Sequence, residues 1–137
     1  MLLNRRTFVH GVATAGSLGA TQLVFGADLL KIGYVSPQTG PLAPFGEADK
    51  WVIDQMKTAF KDGLMVGGKK FDVQIILKDS QSNPNRAGEV ANDLILKDKV
   101  ALVLTAGTPE TSNPVSDACE LNEVPCISSV EIGRAHV

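Results

Sequence analysis

The amino-acid sequence predicts an α/β fold, a parallel doubly wound sheet built in the order β-α-β-α-β-α-β. Three observations predict it. Apolar runs rich in β-branched residues, at 29–35, 71–79, 100–106 and 124–130, alternate with amphipathic stretches. Two of those stretches open on an Asn-Pro pair, with Asn as an N-cap and Pro as a first helical residue. Each strand and its helix take roughly 30 residues, the length of a βαβ unit. Apolar strands set between short helices belong in a parallel sheet covered on both faces.

The elements follow in order. "LLKIGYV" (29–35) is the first strand. "FGEADKWVIDQMKTAFKDG" places Ala48, Val52, Met56 and Ala59 or Phe60 at helical spacing, and Gly63 is its expected C-terminal cap. "LMVGGKK" reads as a turn. "FDVQIILKD" (71–79) alternates and then fills with apolar residues, as a strand does. "SNPNRAGEVANDLILKDK" sets Ala87, Val90, Ala91, Leu94 and Ile95 on one helical face, capped by Asn83 before Pro84. "VALVLTA" (100–106) is the most strand-like run. "SNPVSDACELNE" repeats the capping device with Asn113 and Pro114, and "VPCISSV" (124–130) is a last short strand.

The chain of 137 residues has the length of one small domain, and its 44% hydrophobic and 20% charged residues permit a core. Net charge is -2. Arg5 and Arg6 are the only charges in the first 27 residues, so the remainder carries -4 and offers no basic stripe for nucleic acid. The first 27 residues have the order of an export signal: a basic region, "NRRTFVHG", then an uncharged stretch rich in small residues, with cleavage expected near Gly26 or Ala27. Arg5-Arg6 followed by Thr7 and Phe8 resembles a twin-arginine signal, and an ordinary secretory signal fits the same order. Nothing later has the ~20 apolar residues of a spanning helix, so the mature chain is expected outside the cytoplasm and not inserted in a membrane. Cys119 and Cys126 read equally as a disulfide or as two buried apolar side chains.

Several chemistries are excluded. "GLMVGGKK" (63–70) nearly matches a phosphate-binding loop, but Lys70 replaces the metal-binding hydroxyl and the segment joins helix to strand, the wrong way round. Gly33, Gly40 and Gly46 do not fit a dinucleotide fingerprint. Histidine occurs only at His10 and His136, so 28–130 offers neither a His-dependent nucleophile nor a His-based metal site. No cofactor, metal or catalytic residue is expected, which favours recognition over catalysis.

In parallel sheets ligands sit at the carboxyl ends of the strands. The loops there are 36–44, 79–83, 106–113 and the segment from Ser129. The first, within "SPQTGPLAPFGEADKW", is stiffened by Pro37, Pro41 and Pro44 and carries Phe45 near its tip. "TAGTPETSN" (105–113) leads into a helix N-terminus, where N–H groups and the helix dipole attract a carboxylate, and Thr108 and Thr111 add hydroxyls. Capping of the helix alone would use the same residues.

Three segments in order, "KIGYVSPQTGPLAPFGEA", "VQIILKDSQSNPNRAGEVANDLI" and "GTPETSNPVSDACELNEVPCIS", resemble the periplasmic solute-binding proteins of leucine/isoleucine/valine type, the receptors of ABC importers. The resemblance runs from about Lys31 to Val130. It implies a type I periplasmic-binding fold of two α/β lobes that close over a small ligand, of which 28–130 would be part of the N-terminal lobe. It implies a small-molecule ligand, an amino acid or related carboxylate, and permease subunits as partners. By residue, it places Phe45 at the cleft edge, the Thr108–Thr111 loop on the ligand carboxylate and Ser129 in the next carboxylate-binding loop. Pro109 stands where the family carries a hydroxyl, so Thr108 or Thr111 must substitute.

The last residues, "EIGRAHV" (131–137), carry no strand or helix signal. GAG ATC GGA AGA GCA CAC GTC encodes them, and from its second base that string reads as a common short-read sequencing adapter. They are expected to be read-through and not native, and 28–130 alone is expected to aggregate and bind ligand poorly. Two other functions share the fold: a ligand-sensing receptor domain, and an exported enzyme, which the lack of histidine in 28–130 disfavours.

Overall fold

The computed structural model describes residues 28–129. The expected export signal with Arg5 and Arg6, and the tail at 131–137, lie outside the described residues. In chain order the elements are β1 (Asp28–Ser36), a 3-10 turn (Ala43–Gly46), α1 (Asp49–Ala59), β2 (Leu64–Val66) and β3 (Lys69–Asp79). After them come α2 (Pro84–Asp93), a π-helical turn (Leu94–Asp98), β4 (Leu102–Thr105), α3 (Pro109–Leu121) and β5 (Cys126–Ser128).

The strands form one sheet in the order β2-β3-β1-β4-β5. β1 pairs in parallel with β3 and with β4, and β4 in parallel with β5. The chain steps outward from β1 to β3, then crosses back over β1 to β4. That reversal places a topological switch point between the carboxyl ends of β1 and β4.

The segment expected to be a turn at 64–70 holds an edge strand. Leu64–Val66 pairs antiparallel with Phe71–Lys69. Gly67 and Gly68 both have positive φ, +57° and +80°, the geometry of a two-residue hairpin turn that glycine adopts without Cβ strain. The sheet is therefore mixed, though mostly parallel. Met65 and Val66 are exposed, which removed the alternation that marks a strand.

Both faces of the sheet are covered. On one, Ala87, Val90, Ala91 and Leu94 of the second helical segment and Val115, Ala118 and Cys119 of α3 pack on Val35 and Val103. Leu94 is fully buried and packs directly against the backbone at Gly33. Each such aliphatic side chain contributes about 1.5–3 kcal/mol on burial. On the other face α1 contributes Ile53 to a smaller cluster with Tyr34 and Ala106. The expected α1 stripe is shifted: Ala48 and Ala59 are exposed, whereas Ile53 and the acid Asp49 are buried.

α3 begins five residues earlier than the Asn113-Pro114 pair predicts. Thr108 is the N-cap, Pro109 the first helical residue, and Pro114 lies inside the helix. Pro109 satisfies the same first-turn rule, since it lacks an N–H that would be unpaired there. Pro114 stands opposite Gly88 of α2, where an added Cβ would come within 3.5 Å of the Pro114 Cβ. The loop expected at 106–113 thus shrinks to 106–108.

Candidate functional site

The loops after β1 and β4 meet at the switch point. Pro37, the residue after β1, packs against Gly107, the middle residue of the β4–α3 loop. A Cβ on Gly107 would sit 2.8 Å from Thr111 Oγ1 and 3.2 Å from Pro37 Cδ, at a φ of +135°. Both the backbone conformation and the close approach demand glycine. The 106–108 loop is drawn against the β1 loop for that reason.

The β1–α1 loop is held by more than its prolines. The Asp79 carboxylate, at the end of β3, accepts hydrogen bonds from Gln38 N–H (2.8 Å), Thr39 N–H (3.3 Å), Thr39 Oγ1 (2.6 Å) and Gln81 N–H (2.7 Å). Burial alone would raise the Asp79 pKa, but these four donors outweigh it and hold the carboxyl below its usual value. Ser82 Oγ donates to Thr39 C=O (2.6 Å) and accepts from Leu42 N–H (2.9 Å). The 79–83 loop therefore clamps residues 38–42 from one side.

A second anchor lies beneath the loop. Asp49, in the first turn of α1, is 6% exposed. It accepts from Tyr34 Oη (2.9 Å) and from Ser36 Oγ, both on β1. Gln38 Nε2 donates to Ser36 Oγ (2.6 Å) and to Gly46 C=O (3.3 Å), closing the loop on itself. Burial pushes the Tyr34 hydroxyl well above its ordinary pKa, and the hydrogen bond to Asp49 and its charge add to the rise. Above this network lies an open depression of about 390 Å³ lined by Gln38, Ala43, Pro44, Gly46, Glu47 and Lys50.

Three helices start at this end of the sheet, and α1, with Ala48 as N-cap, has no side-chain cap. α2 is closed by its own cap: Asn83 Oδ1 accepts from Asn85 N–H (2.9 Å) and Arg86 N–H (3.1 Å). At α3 the N-cap Thr108 makes no side-chain capping bond. Thr111 Oγ1 donates to Thr108 C=O (3.2 Å), and Thr111 is 2% exposed. Among the described residues, the hydroxyls of Thr105, Thr108 and Ser112 are buried without a hydrogen-bond partner. Three unmatched hydroxyls around one helix start are costly, at about 1–3 kcal/mol for each group left unpaired.

The residues singled out from the sequence fall as follows. Thr108 and Thr111 sit at this helix start, and Ser129, the residue after β5, joins them, its N–H (3.1 Å) and Oγ (3.4 Å) both donating to Thr105 C=O. Phe45 lies on the 3-10 turn of the β1–α1 loop, 62% exposed. Asp79, Ser82, Asp49 and Gln38 were not singled out. An acid within the apolar stripe of α1 was the one local signal for Asp49; the others depend on contacts about 40 residues away in sequence. Among the described residues no helix is long and apolar enough to cross a membrane.

A family model described as periplasmic binding protein matches residues 30–136. No curated protein matches the chain. Similar solved structures include the branched-chain amino acid transporter substrate-binding protein LivJ from Streptococcus pneumoniae, in complex with isoleucine. It is 26% identical with a TM-score of 0.61, over 74% of this chain and 28% of that one. A solute-binding protein of an ABC transporter from Rhodopseudomonas palustris BisB5, in complex with 3,4-dihydroxybenzoic acid, is 30% identical with a TM-score of 0.62, over 74% and 27%. The leucine-binding protein LivK from Thermotoga maritima is 26% identical with a TM-score of 0.60, over 73% and 27%. The chain thus spans little more than a quarter of the length of these relatives. Its sheet and helices match part of one lobe of their type I fold.

Proposed function

The chain belongs to the periplasmic binding protein family, and on that premise we propose that its protein is the extracytoplasmic receptor of an ABC importer. In this reading residues 28–130 are part of the N-terminal lobe, and 1–27, with Arg5 and Arg6, are an export signal removed near Ala27. The ligand is an amino acid or related carboxylate, held between two lobes and delivered to permease subunits.

The observation that carries the reading is the uncapped start of α3 at the switch point, beside a self-capped α2. A helix N-terminus presents N–H groups and a partial positive charge, which suit a carboxylate. Pro109 supplies neither an N–H nor a hydroxyl, so Thr108 takes the hydroxyl role, and Ser129 contributes from the next loop. Thr111 positions this turn through its bond to the Thr108 carbonyl rather than by reaching outward. Phe45 forms an apolar rim on a loop already fixed by Asp79 and Ser82, which lowers the ordering cost of binding. Isoleucine and 3,4-dihydroxybenzoic acid, the ligands of two similar structures, share a carboxylate although their bodies differ. That chemistry supports the same assignment.

The test begins with a long read across the locus past the codon for Val130, which also decides whether 131–137 belong to the gene. The full-length product is then titrated calorimetrically with branched-chain amino acids and hydroxybenzoates, and with the methyl ester of whichever binds. Loss of the carboxylate is expected to weaken binding about 10- to 100-fold, the worth of a hydrogen bond to a charged group. An ester that binds as well as its acid would overturn the assignment of α3. Unchanged affinity in Phe45→Ala would make the 36–46 loop a connector only.

A further inference from the structure

We propose that Cys119 and Cys126 form an intramolecular disulfide site, closed by a disulfide oxidant, which ties the C-terminal end of α3 to β5. Both cysteines are thiols here. They line one depression of about 300 Å³ with Ser116, Glu120 and Val124.

The chain path between them sets their proximity. α3 ends with Glu123 in the left-handed conformation, φ +56°. Glu123 N–H donates to Glu120 C=O (3.1 Å) and Val124 N–H to Cys119 C=O (2.9 Å). This paired closure reverses the chain within one turn and sends it past Pro125 into β5. Val103 N–H then holds Pro125 C=O at 2.9 Å. Cys119, 1% exposed, and Cys126 both pack in the same apolar cluster as Val124. The nearness of the two sulfurs lowers the Cys126 pKa and, with burial, raises that of Cys119. Cys126, the less buried of the two, is the one that an oxidant reaches first.

The step balances. Cys126 thiolate attacks one sulfur of a small disulfide such as oxidised glutathione, forming a mixed disulfide and releasing one thiolate. The Cys119 thiol loses its proton, its sulfur attacks the Cys126 sulfur, and the second thiolate leaves. Two protons and two electrons pass from the pair, and the oxidant becomes two thiols. The mechanical consequence falls on β5. Its three residues pair along one edge with β4, and Ser129 follows them directly. A staple there fixes the strand that presents Ser129. The export reading of 1–27 enters only as the source of an oxidising surrounding, and the test does not use it.

The full-length product is equilibrated in a series of glutathione redox buffers, natively and in urea. Free thiols are trapped by alkylation, and the intact mass is measured. The expected native product lacks two hydrogens, takes up no alkyl group and runs as a monomer. It should form at a poise more reducing than the unfolded chain needs, with an equilibrium constant on the order of tenfold higher or more. Equal constants in the two conditions, or two alkylated thiols throughout the native series, would overturn the proposal. Cys126→Ser should trap Cys119 as a slow mixed disulfide or leave it free; an unchanged mass loss in this variant would also refute the pairing.

Discussion

Replacing Asp79 with Asn tests whether the 79–83 loop is what holds the β1–α1 rim. Asp79 accepts four hydrogen bonds, three of them at exposed positions where water competes. At about 0.5 kcal/mol for each, the low end of the net range, the clamp is worth about 2 kcal/mol. Asn retains one acceptor oxygen and no charge, and its amide nitrogen faces donors, so most of that is lost. Because the folded state holds Asp79 below its ordinary pKa, its contribution is fully present above the unfolded carboxylate value, near 4. It is lost as pH falls through the lower folded value. Urea unfolding of wild type and Asp79→Asn, followed by circular dichroism at a series of pH values from 7 downward, is the assay. The expected result is a difference of about 2 kcal/mol at pH 7 that shrinks as the medium becomes acid. A difference that does not change with pH, or none at pH 7, would refute the argument that an ionised Asp79 anchors the rim.

Three further outcomes are expected. Tyr34, the only tyrosine of the chain, should show no phenolate absorbance near pH 10 while folded; Asp49→Asn should bring its ionisation down, and a normal titration in the wild type would contradict the buried Tyr34–Asp49 bond. Since the folded pKa is raised, stability should also fall as pH rises above about 10. Glu123→Gly should raise the unfolding free energy by about 1 kcal/mol in urea, because glycine adopts the left-handed closure of α3 without the Cβ penalty; no gain would mean that the Glu123 side chain compensates for it.

The parts of the fold legible in the sequence were those fixed by local signals. Asn83-Pro84 marks the start of α2 because cap and first residue are adjacent and the Asn side chain bonds within three residues. The strands at 29–35 and 71–79 stood out because the first is a largely apolar run, buried from Ile32 onward, and the second alternates before it fills with apolar residues. α3 was misplaced for a physical reason: Pro109 and Pro114 both satisfy the first-turn rule. What selects the earlier one is the burial of Thr111, Ser112 and Val115, a tertiary effect. The edge strand Leu64–Val66 was hidden because its outer residues face solvent. The role of Asp49 was not legible beyond an acid beside the apolar stripe of α1, because its partners, Tyr34 and Ser36, come from another element.

The same distinction explains the candidate site. Thr108 and Thr111 could be singled out from the sequence because a hydroxyl-rich segment before a helix is a local pattern, whereas the role of Ser129 came only with the family resemblance. The rim was reachable as a stiff loop with an aromatic tip. What sets its position was not, since Asp79 and Ser82 act on residues 38–42 from across β1. Stiffness and position are separate properties: prolines limit the shapes the loop can take, while the Asp79 carboxylate and Gly107 choose where the chosen shape sits. Gly107 couples the two loops, because any side chain there would strike Pro37 on one side and Thr111 on the other. A displacement of the β1 loop would therefore move the first turn of α3. The rim that carries Phe45 and the helix start that carries Thr108 form one mechanical unit, and that unit lies where the strand order reverses.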